Sequence, residues 1–236
     1  MSFLKAEWRK LILINYAVDA ALLHPFVPNG TELDRWNDTV YVSLVGFMFV
    51  NTRLLGIKIP FHTNFEEVNL RFYVRYKSEG QWKRGVVFIK EIVPKSALTL
   101  VANTLYKEHY ETMPMSHQWT IDEQFVEVAY KWRCQGAWQE MWAKGKAMGQ
   151  AVVEGSEEEF IMEHYWGYTK VDEQITYEYE VTHPQWQFYP VSEHRIDVDY
   201  RRVYGDRFSG LQQLSPKSII LAEGSVITVE GKRRIA

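Results

Sequence analysis
The chain has a single cysteine, Cys134, among 236 residues, so no disulfide within it can hold the fold. A hydrophobic core must do so, and a lone thiol suits a reducing compartment. Excess positive charge is lacking too: 27 Lys and Arg stand against 30 Asp and Glu, for a formal net charge of −3. Such a chain has no field to draw phosphate backbones or anionic lipid, which argues against nucleic acid and membrane as partners. No apolar run reaches the about 18 residues of a membrane-spanning helix. The apolar stretch Leu11–Ile14 is broken by Asn15, Asp19, His24 and Pro25 before a signal-peptide core can form, so a cytoplasmic protein is expected. None of the eight prolines gathers with Gly or Ser into a linker, and no repeat interrupts the chain. One domain spanning residues 1–236 is the expectation.

The signatures of several enzyme classes are also missing. The sequence holds no phosphate loop, dinucleotide glycine fingerprint, nucleophile elbow or paired metal-binding cysteines. The seven histidines, at 24, 62, 109, 117, 164, 183 and 194, form no HxH or HxxxH pair. No cofactor and no metal are expected, and each histidine reads as a hydrogen-bonded loop or strand residue.

What the chain does have is aromatic mass, 15% of residues with nine Trp, which favours pleated, half-buried surfaces. Val40–Val50 is apolar at nearly every position and reads as a strand buried on both faces, with Ser43 and Gly46 leaving room for close packing. Glu67–Tyr76 alternates strictly: Val68, Leu70, Phe72, Val74 and Tyr76 share one face, Glu67, Asn69, Arg71, Tyr73 and Arg75 the other. Ser78-Glu79-Gly80 turns it into a second strand, Trp82–Val93. Further strands are expected at Lys10–Val18, Glu111–Ile121, Gln124–Cys134, Gln174–Thr182 and Ile219–Glu230. Short helices should follow Asp19 and Ser156, both capping residues, and span Lys95–Lys107. Many strands with few short helices indicate a mainly β (α+β) barrel or sandwich.

The polar face of Glu67–Arg75 admits two readings. Either it is a solvated outer face, or it lines the lumen of a barrel wide enough for a ligand. In the second case Glu67, Asn69 and Arg71 would grip a small polar or anionic ligand, with the planar guanidinium as carboxylate clamp. Lys90 is the one lysine within a strongly apolar strand; burial would free its amine for a Schiff base, whereas pairing or reaching the rim would leave it inert. Trp138 and Trp142 stand four apart in a segment that could be helix or strand, and core packing is their expected use. Cys134 is expected to be a free thiol without a catalytic role.

Asn64–Arg75, together with Tyr41–Phe47, Arg84–Phe88, Tyr165-Trp166-Gly167-Tyr168 and His183-Pro184-Gln185-Trp186, resembles the YqjF-like family of uncharacterised bacterial proteins. That family in turn resembles the acetoacetate decarboxylase-like superfamily. The resemblance implies a cone-shaped antiparallel β-barrel with a few short peripheral helices around an interior pocket, and it favours the lumen reading. The decarboxylase relatives carry a reactive lysine pair after a short helix. The matching stretch here is Tyr106-Lys107-Glu108-His109-Tyr110-Glu111, with Tyr110 and Glu111 at the lysine positions and Lys107 at a glycine position. Decarboxylation through a Schiff base is therefore not expected. The resemblance makes Tyr106 and Tyr110 pocket candidates beside Glu67, Asn69, Arg71 and Lys90, and its pocket acid corresponds to Glu66 or Glu67. A barrel enzyme acting on a carboxylate or carbonyl compound, a non-catalytic carrier or sensor, and a solid-core interaction protein are the competing functions; the first two take a small-molecule ligand.

Overall fold
The computed structural model describes residues 2–236, the side chains of Leu105 and Tyr106 excepted. The strands of the first half are β1 (Leu4–Val18), β2 (Thr31–Leu33), β3 (Val40–Leu54), β4 (Phe65–Ser78), β5 (Gln81–Val93), β6 (Tyr110–Thr112) and β7 (Met115–Ile121). There follow β8 (Phe125–Cys134), β9 (Ala137–Lys146), β10 (Gln150–Ala151), β11 (Trp166–Lys170), β12 (Thr176–Thr182), β13 (Gln187–Tyr189), β14 (Val191–Asp197), β15 (Ser218–Val229) and β16 (Arg233–Arg234). Four short α-helices punctuate them: α1 (Ala20–Leu23), α2 (Ser96–Val101), α3 (Glu157–Met162) and α4 (Tyr200–Tyr204).

Twelve strands form one sheet, in the order β10-β13-β15-β1-β3-β4-β5-β11-β12-β16, with β2 on β4 and β6 on β5. Because β12 also pairs with β15, the sheet closes on itself like a ring. It is not antiparallel throughout: β5 runs parallel to both β11 and β6. A second sheet, β14-β9-β8-β7, packs against the outside of the ring.

The two sheets explain why β3 and β4 are buried on both faces. Leu44, Leu70 and Phe72 pack outward against Val128, Trp132 and Met141 of the second sheet. Val45, Phe47 and Tyr73 face inward with Phe160 of α3. At Gly46 the layers approach closely, since a Cβ there would stand 2.7 Å from Met141 Sδ. Ser43 accepts close packing in another way, linking Asn15 Oδ1 and the Tyr73 hydroxyl at 2.7 Å each.

Local signals placed several elements. Asp19 caps α1 through Ala21 N at 2.8 Å, and Ser156 caps α3 through Glu159 N at 3.2 Å. The strand expected over Glu111–Ile121 is two, β6 and β7, because Pro114 cannot donate to a ladder. β1 begins at Leu4 rather than Lys10, carrying the alternation of Leu4, Ala6 and Trp8 into the ring. Trp138 is not a core residue: β9 buries Gln139, Met141 and Ala143, which leaves Trp138 52% exposed and Trp142 beside it on the outer face. Cys134 is a buried free thiol whose Sγ lies 3.7 Å from the Arg202 carbonyl.

The C-terminal segment is pinned by charge. Glu178, fully buried on β12, accepts from Lys83 Nζ at 3.1 Å and from Arg233 Nε at 2.6 Å. Glu178→Ala should cost about 1–3 kcal/mol, because both cations can reach water once the acid is gone. A fall in Tm, with faster amide exchange at residues 233–234 than in the rest of the ring, is the expected result. Unchanged exchange there would show that the pairing of β16 does not depend on this contact.

Candidate functional site
The ring encloses a cavity of about 230 Å³. Alternation along β4 turns Glu67, Asn69 and Arg71 into it, opposite Phe47, Val45 and Ser43 on β3, while Glu66 faces outward to His117 at 2.6 Å. The pocket-facing acid of this pair is thus Glu67. Tyr110 also lines the cavity, and the Tyr106 side chain lies outside the described residues.

Lys90 does not line the cavity. A β-bulge interrupts the β4–β5 pairing: Phe88 faces Arg71, Lys90 faces Leu70, and Ile89 is left over. The extra residue puts Ile89 and Lys90 both on the outer side and brings Glu91 inward. Lys90 Nζ is spent outside, on Glu111 Oε2 at 2.7 Å and the Val203 carbonyl at 2.6 Å. Glu111, at the second lysine position of the relatives, is therefore outside as well. Among the described residues no lysine lines the cavity.

Acids stand where a lysine was sought. Glu67, Glu91 and Glu108 are all buried around the cavity. Glu67 Oε1 accepts from Asn69 Nδ2 at 2.9 Å and Oε2 from the Tyr110 hydroxyl at 3.2 Å. Glu108 Oε1 accepts from Thr169 Oγ1 at 2.6 Å. Tyr110 is set by a two-point clamp, Asn103 Oδ1 on its N–H at 2.8 Å and Asn103 Nδ2 on its carbonyl at 2.9 Å. Lys107 takes the left-handed conformation at φ 62°, and the turn it makes carries Glu108 into the interior. Gly167, paired with Tyr179, has no side chain to hold the Tyr179 ring away; a Cβ there would overlap it.

Burial controls the protons of this group. Desolvation pushes Glu67 up to about 7, with the Glu108 charge adding to the rise and Asn69, Tyr110 and Arg71 opposing it. Glu108 is likewise raised to about 7 by burial, against hydrogen bonds from Thr169 and Tyr179. Glu91, between them, is raised well above its ordinary value by burial and then by both neighbours. Three carboxyls near one guanidinium cannot all ionise, so near pH 7 they share protons as a set. His164 lies at the same wall, 4.6 Å ring to ring from Tyr73. Its burial, and then Arg84 and Arg71, hold it neutral, and its Nε2 lies 3.9 Å from Asp34 Oδ2.

Arg71 is the cation of the wall. One Nη reaches the Ile161 carbonyl at 3.4 Å, and its Nε is unpartnered among the described residues, as are Asn69 Oδ1 and Glu91 Oε2. Sequence reasoning missed Glu91, Glu108, His164 and Tyr179. Alternation was a usable signal for Tyr179, but the bulge hid Glu91, and loops carry Glu108 and His164. Among the described residues, no group of three or more His, Cys, Asp or Glu is arranged to hold a metal ion.

Residues 5–226 match the profile of a family described as an uncharacterized conserved protein. A curated relative, "Uncharacterized protein YqjF" of Bacillus subtilis (strain 168), is 31% identical over 108 residues. That alignment spans 45% of this chain and 43% of the relative, less than half of either. Among solved structures, acetoacetate decarboxylase from Legionella pneumophila subsp. pneumophila str. Philadelphia 1 superposes with a TM-score of 0.65 at 13% identity, covering 99% of this chain and 87% of the other. The enduracididine biosynthesis enzyme MppR, complexed with the condensation product of pyruvate and imidazole 4-carboxaldehyde, gives 0.70 at 10% identity, covering 99% and 90%. An acetoacetate decarboxylase-like enzyme from Sphingomonas wittichii RW1 gives 0.66 at 10%, covering 100% and 94%. At these identities the likeness shows the acetoacetate decarboxylase-like fold.

Proposed function
Because the chain belongs to the DUF2071 family, whose description names no activity, we propose its function from the cavity: it binds a small organic carboxylate or carbonyl compound there and moves protons on it without a lysine imine. The observation that carries this is the set of buried, unpartnered polar atoms Arg71 Nε, Asn69 Oδ1 and Glu91 Oε2 on one cavity wall. Leaving such atoms unsatisfied is costly; a ligand carboxylate would accept from Arg71 Nε, and a carbonyl oxygen beside it would accept from Glu91 in its protonated form. A neighbour of the same fold complexed with pyruvate supports a ligand of that class.

Acids poised near pH 7 suit proton transfer at a carbon next to a carbonyl. An ionised carboxylate of the set takes the proton from that carbon, and the C–H electron pair moves into the new C=C bond as the C=O π pair goes onto oxygen. A protonated carboxyl or Tyr110 gives a proton to that oxygen, which leaves an enol. The second reading, a carrier, uses the same contacts without the proton step.

The test is calorimetric titration with pyruvate and acetoacetate, together with solvent deuterium exchange at the ligand C–H followed by NMR. Binding should weaken about tenfold to a hundredfold in Arg71→Met. Borohydride should trap no adduct. Exchange faster than in buffer supports the enzyme; binding without exchange makes it a carrier. No binding by wild type, or a lysine adduct, overturns the proposal.

A further inference from the structure
The cavity has two unlike ends. At one end Glu67, Asn69, Arg71, Glu91 and Glu108 bring five buried polar side chains to the wall. The other end is aromatic, with Trp8, Phe47, Phe49 and Phe65 on its wall. Phe49 and Phe65 stack at 4.7 Å, and Trp8 meets Phe47 edge-on at 5.3 Å. This end also opens to solvent, because Ile59 and Val101 line the cavity while 39% and 37% exposed. The segments that carry them continue the apolar surface outside: Phe61 is 88% exposed and Leu100 69%.

A head group alone does not account for that end. A short polar acid held by Arg71 would leave the aromatic wall facing water, although burial of each such ring would add to binding. We infer that the ligand is amphipathic, a carboxylic acid, most simply a 2-oxo acid, with an aryl or branched-alkyl tail that fills the Trp8–Phe47–Phe49–Phe65 box and points to the mouth between Ile59 and Val101. A volume of about 230 Å³ limits the enclosed part to a tail of ring size, since pockets for larger ligands run from about 300 Å³ upward. The inference rests on the proposed function for its head group and adds the tail.

Titration of a series with one head and growing tails, from pyruvate through 4-methyl-2-oxopentanoate to phenylpyruvate, separates the two claims. Trp8 and Trp166 line the cavity, so fluorescence quenching can report binding alongside calorimetry. Phenylpyruvate should bind about tenfold or more tighter than pyruvate. Val101→Asp, at an exposed position that should not disturb folding, should weaken phenylpyruvate about fivefold or more and pyruvate by a clearly smaller factor. Phe49→Leu should act in the same direction in protein of unaltered circular dichroism. If pyruvate binds as tightly as phenylpyruvate, the tail inference is overturned and the head-group reading stands. If tailed acids bind equally well to Arg71→Met, the head-group reading fails and the apolar end alone is confirmed. If no acid of the series binds, both fall.

Discussion

Glu67→Gln is expected to stabilise the protein at pH 8 by up to about 3 kcal/mol and to leave it unchanged below about pH 4.5. The direction follows from the raised carboxyl. A pKa of 4.5 in the unfolded chain and of about 7 in the fold means that the native state holds the proton more tightly. The stability Glu67 contributes is thus fully present below 4.5 and is lost as pH rises through 7. Glutamine has no such loss, so the difference between variant and wild type should grow across that window, to a Tm gap of about 6–12 °C. Arg71, Glu91, Glu108, Tyr110 and Tyr179 all interact with Glu67, so the variant should also lower the pKa of Glu91. The wild-type curve alone would mislead. His164 is held well below 6.5, so its contribution runs the other way and is lost as pH falls below that value. Subtracting the two proteins' curves removes the histidine and isolates the acid; a flat difference from pH 4 to 8 would mean Glu67 is not kept from water.

Gly224→Ala should destabilise by about 3–5 kcal/mol, among the largest single effects in the molecule. Gly224 has φ 79°, and a Cβ there would overlap the Trp8 carbonyl across the β1–β15 ladder. The backbone of β1 cannot retreat freely, because Tyr130 donates to the Lys10 carbonyl at 2.8 Å beside the bulge between Arg9 and Ile12. Gly56 is the control, with φ 82° and open space around its would-be Cβ; alanine there should cost only about 1–2 kcal/mol. A Tm drop of about 6–20 °C for Gly224→Ala, well beyond that of Gly56→Ala, is the expected scan result. Equal drops would assign the cost to φ alone.

Much of the ring was legible because alternation survives wherever a strand meets different neighbours on its two sides. The apolar run Val40–Val50 spoke for two covered faces, and the second sheet and the interior supply them. Glu67, Asn69 and Arg71 were legible by the same rule. Trp138 was not: spacing shows that it shares a face with Trp142, but not that Met141 and Ala143 own the inward side. The other acids escaped for a different reason. Glu108 owes its place to a left-handed Lys107, and His164 follows the end of α3, so neither belongs to a periodic segment.

The surplus residue at Ile89 has a consequence beyond geometry. Composition alone gives β5 both an amine and a carboxylate as neighbours, Lys90 and Glu91, and only the phase of the strand decides which one the interior receives. In unbroken alternation the same string of letters would turn Lys90 inward and Glu91 outward, an amine-bearing chamber in place of an acid-lined one. The chemistry of the chamber thus depends on the phase of one strand, and a comparison made column by column through such a site would pair residues that face opposite ways.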